Sequence, residues 1–487
     1  MATLTQNQLH ILFFPLMAPG HMLPMLNMAK LFACHDHRVR ATILTTPANV
    51  TTLVKTITIN SNSKIELALI PFPSTAAGLP LGCENLTTIS SHDDLTPNFI
   101  QAVSMLTQPF EQILRELKPN VTITDAFIPW TIDITTKLGI PQIISHGTGF
   151  FPLCLSDIIA NYKPHETLPA ETMSFLVPGI PHRVELLKTQ VLDIMKAGKP
   201  MLDLLLKIKD TESRSYGVVV NSFYELEPDY VQHYRTVIGR RAWHVGPVSL
   251  CNEDVINGAS ATDDKDHDEC LRWLDEKQPG SVLYVCFGSL CAFSGDQLRE
   301  IALGLEASNH AFIWVVPKVL KRDEDMDWMP EGFEGRINIE GKKGFIIRGW
   351  APQLLILNHK AVGGFMTHCG WNSTLEGVCA GLPMITWPLF AEQFYNERLV
   401  LDVLKIGVAV GMKEYVMKHE DRPLIYGIDI ERAVNCVMGG DEEAEAMRKR
   451  ARELGVMAKS AVMEDGSSYT ELTRLINELL LLVENID

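Results

Sequence analysis

A chain of 487 residues exceeds the ~250–300 at which a single hydrophobic core stops growing, so more than one domain is expected. With 46% hydrophobic and 21% charged residues it reads as an ordinary globular protein, and no apolar run reaches the ~18–20 residues of a membrane span. A formal charge of −16 argues against nucleic acid or an anionic membrane as partner, so any anionic ligand must be held by local groups.

The start, MATLTQNQLHILFFPL, has neither the basic opening nor the small-residue cleavage site of a secretory signal, so a cytoplasmic location is expected. The ten cysteines are scattered with no C-x-x-C, which favours reduced thiols packed as small apolar groups.

In chain order, strand-like His10–Met17 leads to an amphipathic Met22–Ala33, then strands Arg40–Thr45 and Ile65–Ile70 and a helical Phe99–Leu117. Val121–Thr124 reads as a strand, Thr131–Leu138 as a helix and Gln142–Ser145 as a strand again. Residues 150–215 are more helical and irregular, before strand Tyr216–Asn221 and helix Glu227–Ile238. Asn252–Asp268 is acidic and poor in large apolar residues, the composition of a linker.

A second alternation follows. Strands are expected at Val282–Phe287, Phe312–Val316, Phe345–Ile347, Gly364–Thr367 and Met384–Trp387, with helices Gly295–Ala307, Ser373–Ala380 and Asn396–Val403 between them. The end is helical, over Asp441–Val462 and Ser468–Leu482, and Ser468-x-x-Glu471 has the form of a capping box. Strands alternating with helices imply parallel pairing through right-handed crossovers. The expected architecture is two α/β halves around a cleft, with a helical tail.

Ligands of such sheets bind beyond the carboxyl ends of the strands. His21 follows Pro19-Gly20 at that edge of the first strand and opens a helix, whose positive dipole end favours the neutral imidazole of a general base. A polar capping role is equally open from position alone. Asp125 ends a later strand, from where a carboxylate can orient His21 through Nδ1 and stabilise the imidazolium. Alone, Asp125 reads as a turn residue; with His21 it makes a base-and-orienter pair. No Gly-x-Ser-x-Gly elbow supplies a serine nucleophile.

In the second half, His368–Ser373 bridges a strand end and a helix start, where first-turn N–H groups with Asn372 and Ser373 make an anion nest; plain N-capping by either side chain is the alternative. Glu376, one turn further, is spaced to accept from a ribose diol, or to face solvent. Gly288 and Ser289 repeat the strand-end geometry. Gly147-x-Gly149 lacks a third glycine and no Gly-Lys-Ser/Thr loop exists, which weighs against dinucleotide and P-loop readings. Asp264-x-Asp266 and Asp325-x-Asp327 match a metal pair literally but lie in acidic loops, so no metal and no cofactor are expected.

These residues carry a resemblance. Trp350–Gln393, WAPQLLILNHKAVGGFMTHCGWNSTLEGVCAGLPMITWPLFAEQ, is similar over 44 positions to the signature box of plant secondary-product glycosyltransferases, the UDP-sugar-dependent family with the GT-B fold. FPLMAPGHMLPMLNMAKLF, TDAFIPW, WHVGPVSLC and CLRWLD extend the likeness over nearly the whole chain. The resemblance implies two Rossmann-like doubly wound domains facing across a cleft, with C-terminal helices. The boundaries expected are 1–248 for an acceptor-binding domain, 249–268 for a linker and 269–465 for a UDP-sugar-binding domain. A last helix, 466–487, is expected to pack back on the first domain.

It also implies roles. Trp350 would stack on uracil, the Ala351 backbone would read its edge and Gln353 would reach the ribose, whose hydroxyls Glu376 holds. His368, Asn372, Ser373, Ser289 and the Trp371 backbone N–H would hold the diphosphate, while Glu392 and Gln393 would bind the sugar. A terminal Gln, here Gln393, implies UDP-glucose as donor. His21 matches the family's base and Asp125 its partner. Phe127, His146 and Phe150, with the 77–88 and 191–205 regions, are the candidate lining for a large hydrophobic acceptor. A triterpenoid or saponin is favoured over a flavonoid, and a monomer is expected. An oxidoreductase on the same halves and a non-catalytic UDP-sugar-binding protein are the rival classes.

Overall fold

A computed structural model describes residues 8–58, 65–89, 96–169, 171–191, 199–252, 265–316, 318–319, 328–339 and 343–484. The chain divides into two compact units. The first takes Met1–Phe150, Ile194–Asp254 and Ser460–Asp487, and the second takes Phe151–Asp193 and Val255–Lys459.

In the first unit the strands are β1 (Leu9–Phe14), β2 (Val39–Thr45), β3 (Ile65–Leu69), β4 (Val121–Asp125) and β5 (Gln142–Ser145). β8 (Gly217–Val220) and β9 (Ala242–His244) follow, after a hairpin of β6 (Ser174–Leu176) and β7 (Glu185–Leu187) that belongs to the second unit. Excluding the hairpin, they form one parallel sheet in the order β3-β2-β1-β4-β5-β8-β9. Because β1 is buried on both faces it reads as a nearly continuous apolar run, whose one polar member, His10, is bonded through Nε2 to Thr42 Oγ1 at 2.8 Å. Leu9, Ile11 and Phe13 pack with the Pro19–His35 helix and with Leu472, Leu475 and Leu479 of the last helix, while Leu12 and Phe14 pack with Phe99, Phe110 and Leu114 on the opposite face.

In the second unit β10 (Val282–Cys286), β12 (Ala311–Val316), β14 (Gly344–Arg348), β15 (Val362–Thr367), β16 (Met384–Thr386) and β17 (Gly407–Ala409) pair in parallel in the order β14-β12-β10-β15-β16-β17. The short strands β11 (Ala292–Phe293) and β13 (Lys318–Val319) form a separate pair. Leu283 and Val285 face Leu298, Ile301, Val434 and Val437, whereas Val282 and Tyr284 face Cys270, Leu274, Ile356 and Leu357.

Four expectations need correction. Residues 151–193 do not continue a 1–248 domain but join the second unit, where the Thr189 hydroxyl donates to the Lys413 carbonyl at 2.6 Å and Tyr415 N–H donates to the Thr189 carbonyl at 2.7 Å. The single helix expected over Phe99–Leu117 is two, Thr96–Ser104 and Thr107–Leu117. Pro109 explains the break, since its ring excludes a helical carbonyl at residue 105. The 249–268 linker ends in a helix that begins at Lys265, and its residues 253–264 lie outside the described residues. The last helix begins at Ser467, and Ser468 and Glu471 do not cap it: the Ser468 hydroxyl donates to the Gly246 carbonyl, and Glu471 pairs with Arg235 and Arg474. These groups dock the helix instead.

No helix among the described residues is long and apolar enough to cross a membrane. All ten cysteines are free thiols.

One glycine is fixed by close approach. A Cβ on Gly363, in β15, would lie 2.0 Å from the Gly280 carbonyl oxygen, which is backbone and has no rotamer to change. Gly363→Ala is therefore expected to cost about 1–3 kcal/mol of stability. A melting temperature equal to the parent's would show that the two segments can part.

Candidate functional site

Both sheets reverse their strand order at one place, between β1 and β4 in the first unit and between β10 and β15 in the second. At such a switch point the following loops diverge to opposite faces and leave a crevice.

At the first, His21 occupies the third position of the Pro19–His35 helix, with Pro19 at its start, and Asp125 is the last residue of β4. His21 Nδ1 lies 2.7 Å from Asp125 Oδ2, with the aspartate 3% exposed and the histidine 24%. The carboxylate also accepts from Phe127 N–H at 3.0 Å and Leu16 N–H at 3.3 Å. Burial works against its charge, but the His21 charge, the His21 bond and these two N–H groups together hold its pKa below the ordinary value. A carboxylate beside Nδ1 places the proton of the neutral imidazole there, so the ring's basic lone pair is on Nε2.

The three acceptor candidates differ. Phe127 is 40% exposed and meets the His21 ring edge-on at 5.6 Å. His146 is turned to Glu212, with 3.0 Å between Nε2 and Oε2. Phe150 is a correction: it is wholly buried, stacks edge-on against Tyr234 and donates its N–H to Glu227, so it offers no surface to a ligand. The rich apolar run FFPLCL reads alike for a pocket wall and for core. Of the 191–205 region, 192–198 lie outside the described residues.

At the second switch point the turn after β10 holds Gly288 and the exposed Ser289, and the turn after β15 holds His368. The His368 ring is clasped between two glycines. A Cβ on Gly288, whose φ is +77°, would lie 2.8 Å from Cε1, and one on Gly370 would lie 2.4 Å from Nε2. Burial lowers the His368 pKa to about 4, so the ring is neutral at physiological pH, and its buried Nδ1 has no partner among the described residues.

The helix Trp371–Cys379 follows, its N-cap Gly370 providing no side-chain cap. Asn372 and Ser373 sit inside the first turn, not before it, so the capping alternative fails and the first-turn N–H groups keep their anion-binding character. Ser373 Oγ accepts from Gln353 Nε2 at 3.3 Å, and Glu376 Oε2 accepts from the same nitrogen at 2.7 Å. The amide is turned this way because the Tyr284 hydroxyl donates to Gln353 Oε1 at 3.3 Å. Burial raises the Glu376 pKa to about 7, against the lowering effect of the Gln353 bond. Trp350 presents an indole 64% exposed, and the adjoining Ala351 is nearly buried.

Glu392 caps the Gln393–Arg398 helix, directly after Ala391 at φ 55°. Gln393 is buried, and its Oε1 accepts from Leu389 N–H at 2.9 Å and Phe390 N–H at 3.1 Å. With two donors on the oxygen the amide orientation is settled, and Nε2 is the group that remains for a ligand. Among the described residues no three His, Cys, Asp or Glu side chains gather as a metal group; Asp264 and Asp325–Asp327 lie outside them.

Beside these two switch points, one with a His–Asp pair and one with a glycine-clasped histidine before a helix N-terminus, the chain matches a family model described as UDP-glucoronosyl and UDP-glucosyl transferase over residues 193–440. The chain is 48% identical to a scopoletin glucosyltransferase of Nicotiana tabacum, with 97% of this chain and 98% of that one covered. It is 47% identical to UDP-glucose flavonoid 3-O-glucosyltransferase 7 of Fragaria ananassa, with 98% of each chain covered. The chain belongs to the UDP-glycosyltransferase family. Its structure superposes, with a TM-score of 0.90 and 41% identity over 98% of this chain and 97% of that one, on Glycyrrhiza uralensis UGT73P12 complexed with glycyrrhetinic acid 3-O-monoglucuronide.

This UDP-glycosyltransferase is a member of the plant family 1 enzymes and has their GT-B fold, each unit carrying its own Rossmann-like sheet. Sequence reasoning missed three of its residues. Tyr284 and Gly370 lie in a strand and a turn whose apolar or small character signals core. Asn396 was read only as the start of a helix, yet it is wholly buried and bonded to the Cys369 carbonyl. An asparagine one helical turn after Glu392 is the only signal of it in the sequence.

Proposed function

We propose that this UDP-glycosyltransferase is an inverting, UDP-glucose-dependent O-glucosyltransferase acting on a hydroxyl of a hydrophobic plant specialised metabolite. The 2.7 Å His21–Asp125 bond at the first switch point carries the reading. His21 takes the acceptor hydroxyl proton on Nε2 as the oxygen attacks the anomeric carbon, and Asp125 stabilises the imidazolium. The bond from that carbon to the diphosphate oxygen breaks and UDP leaves. One displacement turns an α-linked donor into a β-glucoside.

On the donor side, Trp350 stacks on uracil while the Ala351 backbone reads its edge. Gln353 and Glu376 serve the ribose, Gln353 by setting the carboxylate. His368, Asn372, Ser373, Ser289 and the Trp371 N–H hold the diphosphate and meet the negative charge that builds on it, so the reaction as proposed calls for no metal. Glu392 accepts from the glucose hydroxyls and Gln393 donates to them through Nε2.

For the acceptor, the likeness to UGT73P12, whose complex holds a triterpenoid glucuronide, supports a triterpenoid or its saponin. The two relatives named for scopoletin and flavonoid support a phenolic hydroxyl as the second reading. The test is incubation with UDP-glucose and a panel of triterpenoids, flavonoids and coumarins, read by product mass and NMR. One added hexose in β linkage is expected; an α-glucoside would exclude single displacement, and no product with any acceptor would favour a binding protein.

Glu376→Gln separates binding from stability. A charged acceptor for the ribose diol is lost, so UDP affinity should fall about tenfold. Stability should move the other way. The folded pKa of about 7 lies above the ordinary value of 4.5, so the contribution of Glu376 to folding is fully present below 4.5 and is lost as pH rises through 7. At pH 8 the variant should therefore melt at or above the parent's temperature. Unaltered UDP affinity, measured by calorimetry, would remove Glu376 from the ribose site.

A further inference from the structure

Cys369, between His368 and Gly370, has φ 63°, a left-handed conformation that a residue with a side chain adopts only when its surroundings impose it. Two bonds impose it here. Its N–H donates to Thr367 Oγ1 at 3.2 Å, and its carbonyl accepts from Asn396 Nδ2 at 2.8 Å. The same nitrogen lies 3.3 Å from Glu392 Oε1. Both neighbours are acceptors, so this end of the amide must be the NH2 group, and its two protons serve two different loops. Asn396 is 0% exposed, and its Oδ1 has no partner among the described residues. Its side-chain bonds thus run to the two donor-site turns.

The helix that carries Asn396 has a separate anchor. Thr386, in β16, donates its hydroxyl to the buried Glu397 of that helix at 2.7 Å. Asn396 is therefore not required to hold its own helix in place.

We propose that Asn396 is a positioning residue that braces the diphosphate-holding turn against the sugar-holding carboxylate. Through the Cys369 carbonyl it fixes the turn that aims His368 and the first N–H groups of the Trp371–Cys379 helix. Through Oε1 it fixes the rotamer of Glu392. The diphosphate and the sugar are then gripped in one register, so that the bond between them is presented in a constant place. This inference rests on the donor-site reading above.

The test compares Asn396→Ala, Asn396→Asp, Glu392→Ala and the Asn396→Ala/Glu392→Ala double variant with the parent. Calorimetric affinities for UDP and UDP-glucose, kcat and KM for UDP-glucose, and melting temperature are measured. The aspartate variant keeps the shape but opposes two acceptors with a third. It should lose about tenfold or more in kcat/KM, more than the alanine variant, because buried acceptors are left without a donor. In both, the preference for UDP-glucose over UDP should shrink, and in the Glu392→Ala background the alanine change should shrink it little further.

A lowered melting temperature with that preference unchanged would reduce Asn396 to a structural role and overturn the proposal. So would additive effects in the double variant. If Glu392→Ala itself leaves the preference intact, the assignment of Glu392 to the sugar fails and the brace falls with it. If Glu392→Ala abolishes the preference while both Asn396 variants retain it, the donor-site reading stands and Asn396 alone is excluded.

Discussion

His21→Ala is expected to lower kcat by about 10²–10⁴-fold, the contribution of a positioned general base, with UDP affinity unchanged. The two readouts separate because His21 belongs to the first switch point, whereas the residues proposed for UDP belong to the second. Alanine also leaves the Asp125 carboxylate, 3% exposed, without its ring partner, so some loss of stability accompanies the loss of turnover. His21→Gln is the companion: its side-chain NH2 can donate to Asp125 but supplies no base. Turnover should collapse in both variants, with the smaller fall in melting temperature in the glutamine one. Parental kcat in either variant, measured by UDP release at saturating donor, would remove His21 from the chemistry.

Asp125→Asn should be nearly as damaging, at about 10²–10⁴-fold in kcat, although one oxygen has merely become NH2. Three donors point at this carboxylate: the His21 ring nitrogen, Leu16 N–H and Phe127 N–H. If the amide oxygen faces His21, the NH2 opposes Phe127 N–H. If it faces the other way, the imidazole must accept through Nδ1 and carries its proton on Nε2, where the base is needed. Either orientation also removes the negative charge that stabilises the imidazolium.

The same substitution changes acid stability. The folded pKa of Asp125 lies below its ordinary value of 3.8, so the contribution of this pair to folding is present above 3.8 and is lost as pH falls through the folded pKa. The parent's melting temperature should drop in acid more steeply than that of Asp125→Asn. Parallel curves would mean that His21 and Asp125 do not interact in solution.

How far the sequence carried the fold depended on strand length and burial. β10 and β12 are runs of five and six largely buried residues that stand out as unbroken apolar segments, while β1, β4 and β5 keep a β-branched or aliphatic core around one or more buried polar residues. β9 and β17 are three residues each at sheet edges and were not expected at all, because three residues carry no period. Pro109 was visible, but the apolar spacing on both sides of it continues as if the helix did. The assignment of 151–193 to the second unit rests on bonds from Thr189 to residues more than 200 positions away, which no local pattern encodes.

By itself the sequence determined the two alternations of strand and helix, the box Trp350–Gln393 and the residue types at its strand ends, because these follow from local periodicity and from residues adjacent in the chain. Tertiary structure turned the expected His21–Asp125 pair into a 2.7 Å bond, since β1 and β4 pair only after the chain has built two strands between them. It decided that Phe150 is core and not pocket, and that Tyr284 turns Gln353 towards Glu376. It also decided that Gly288 and Gly370 clasp His368 and that Asn396 links Cys369 to Glu392. The physical reason is common to all of these. A residue's type says which bonds it can make, but a buried polar group must find its partner in space, and in this fold that partner is supplied by another strand end or turn.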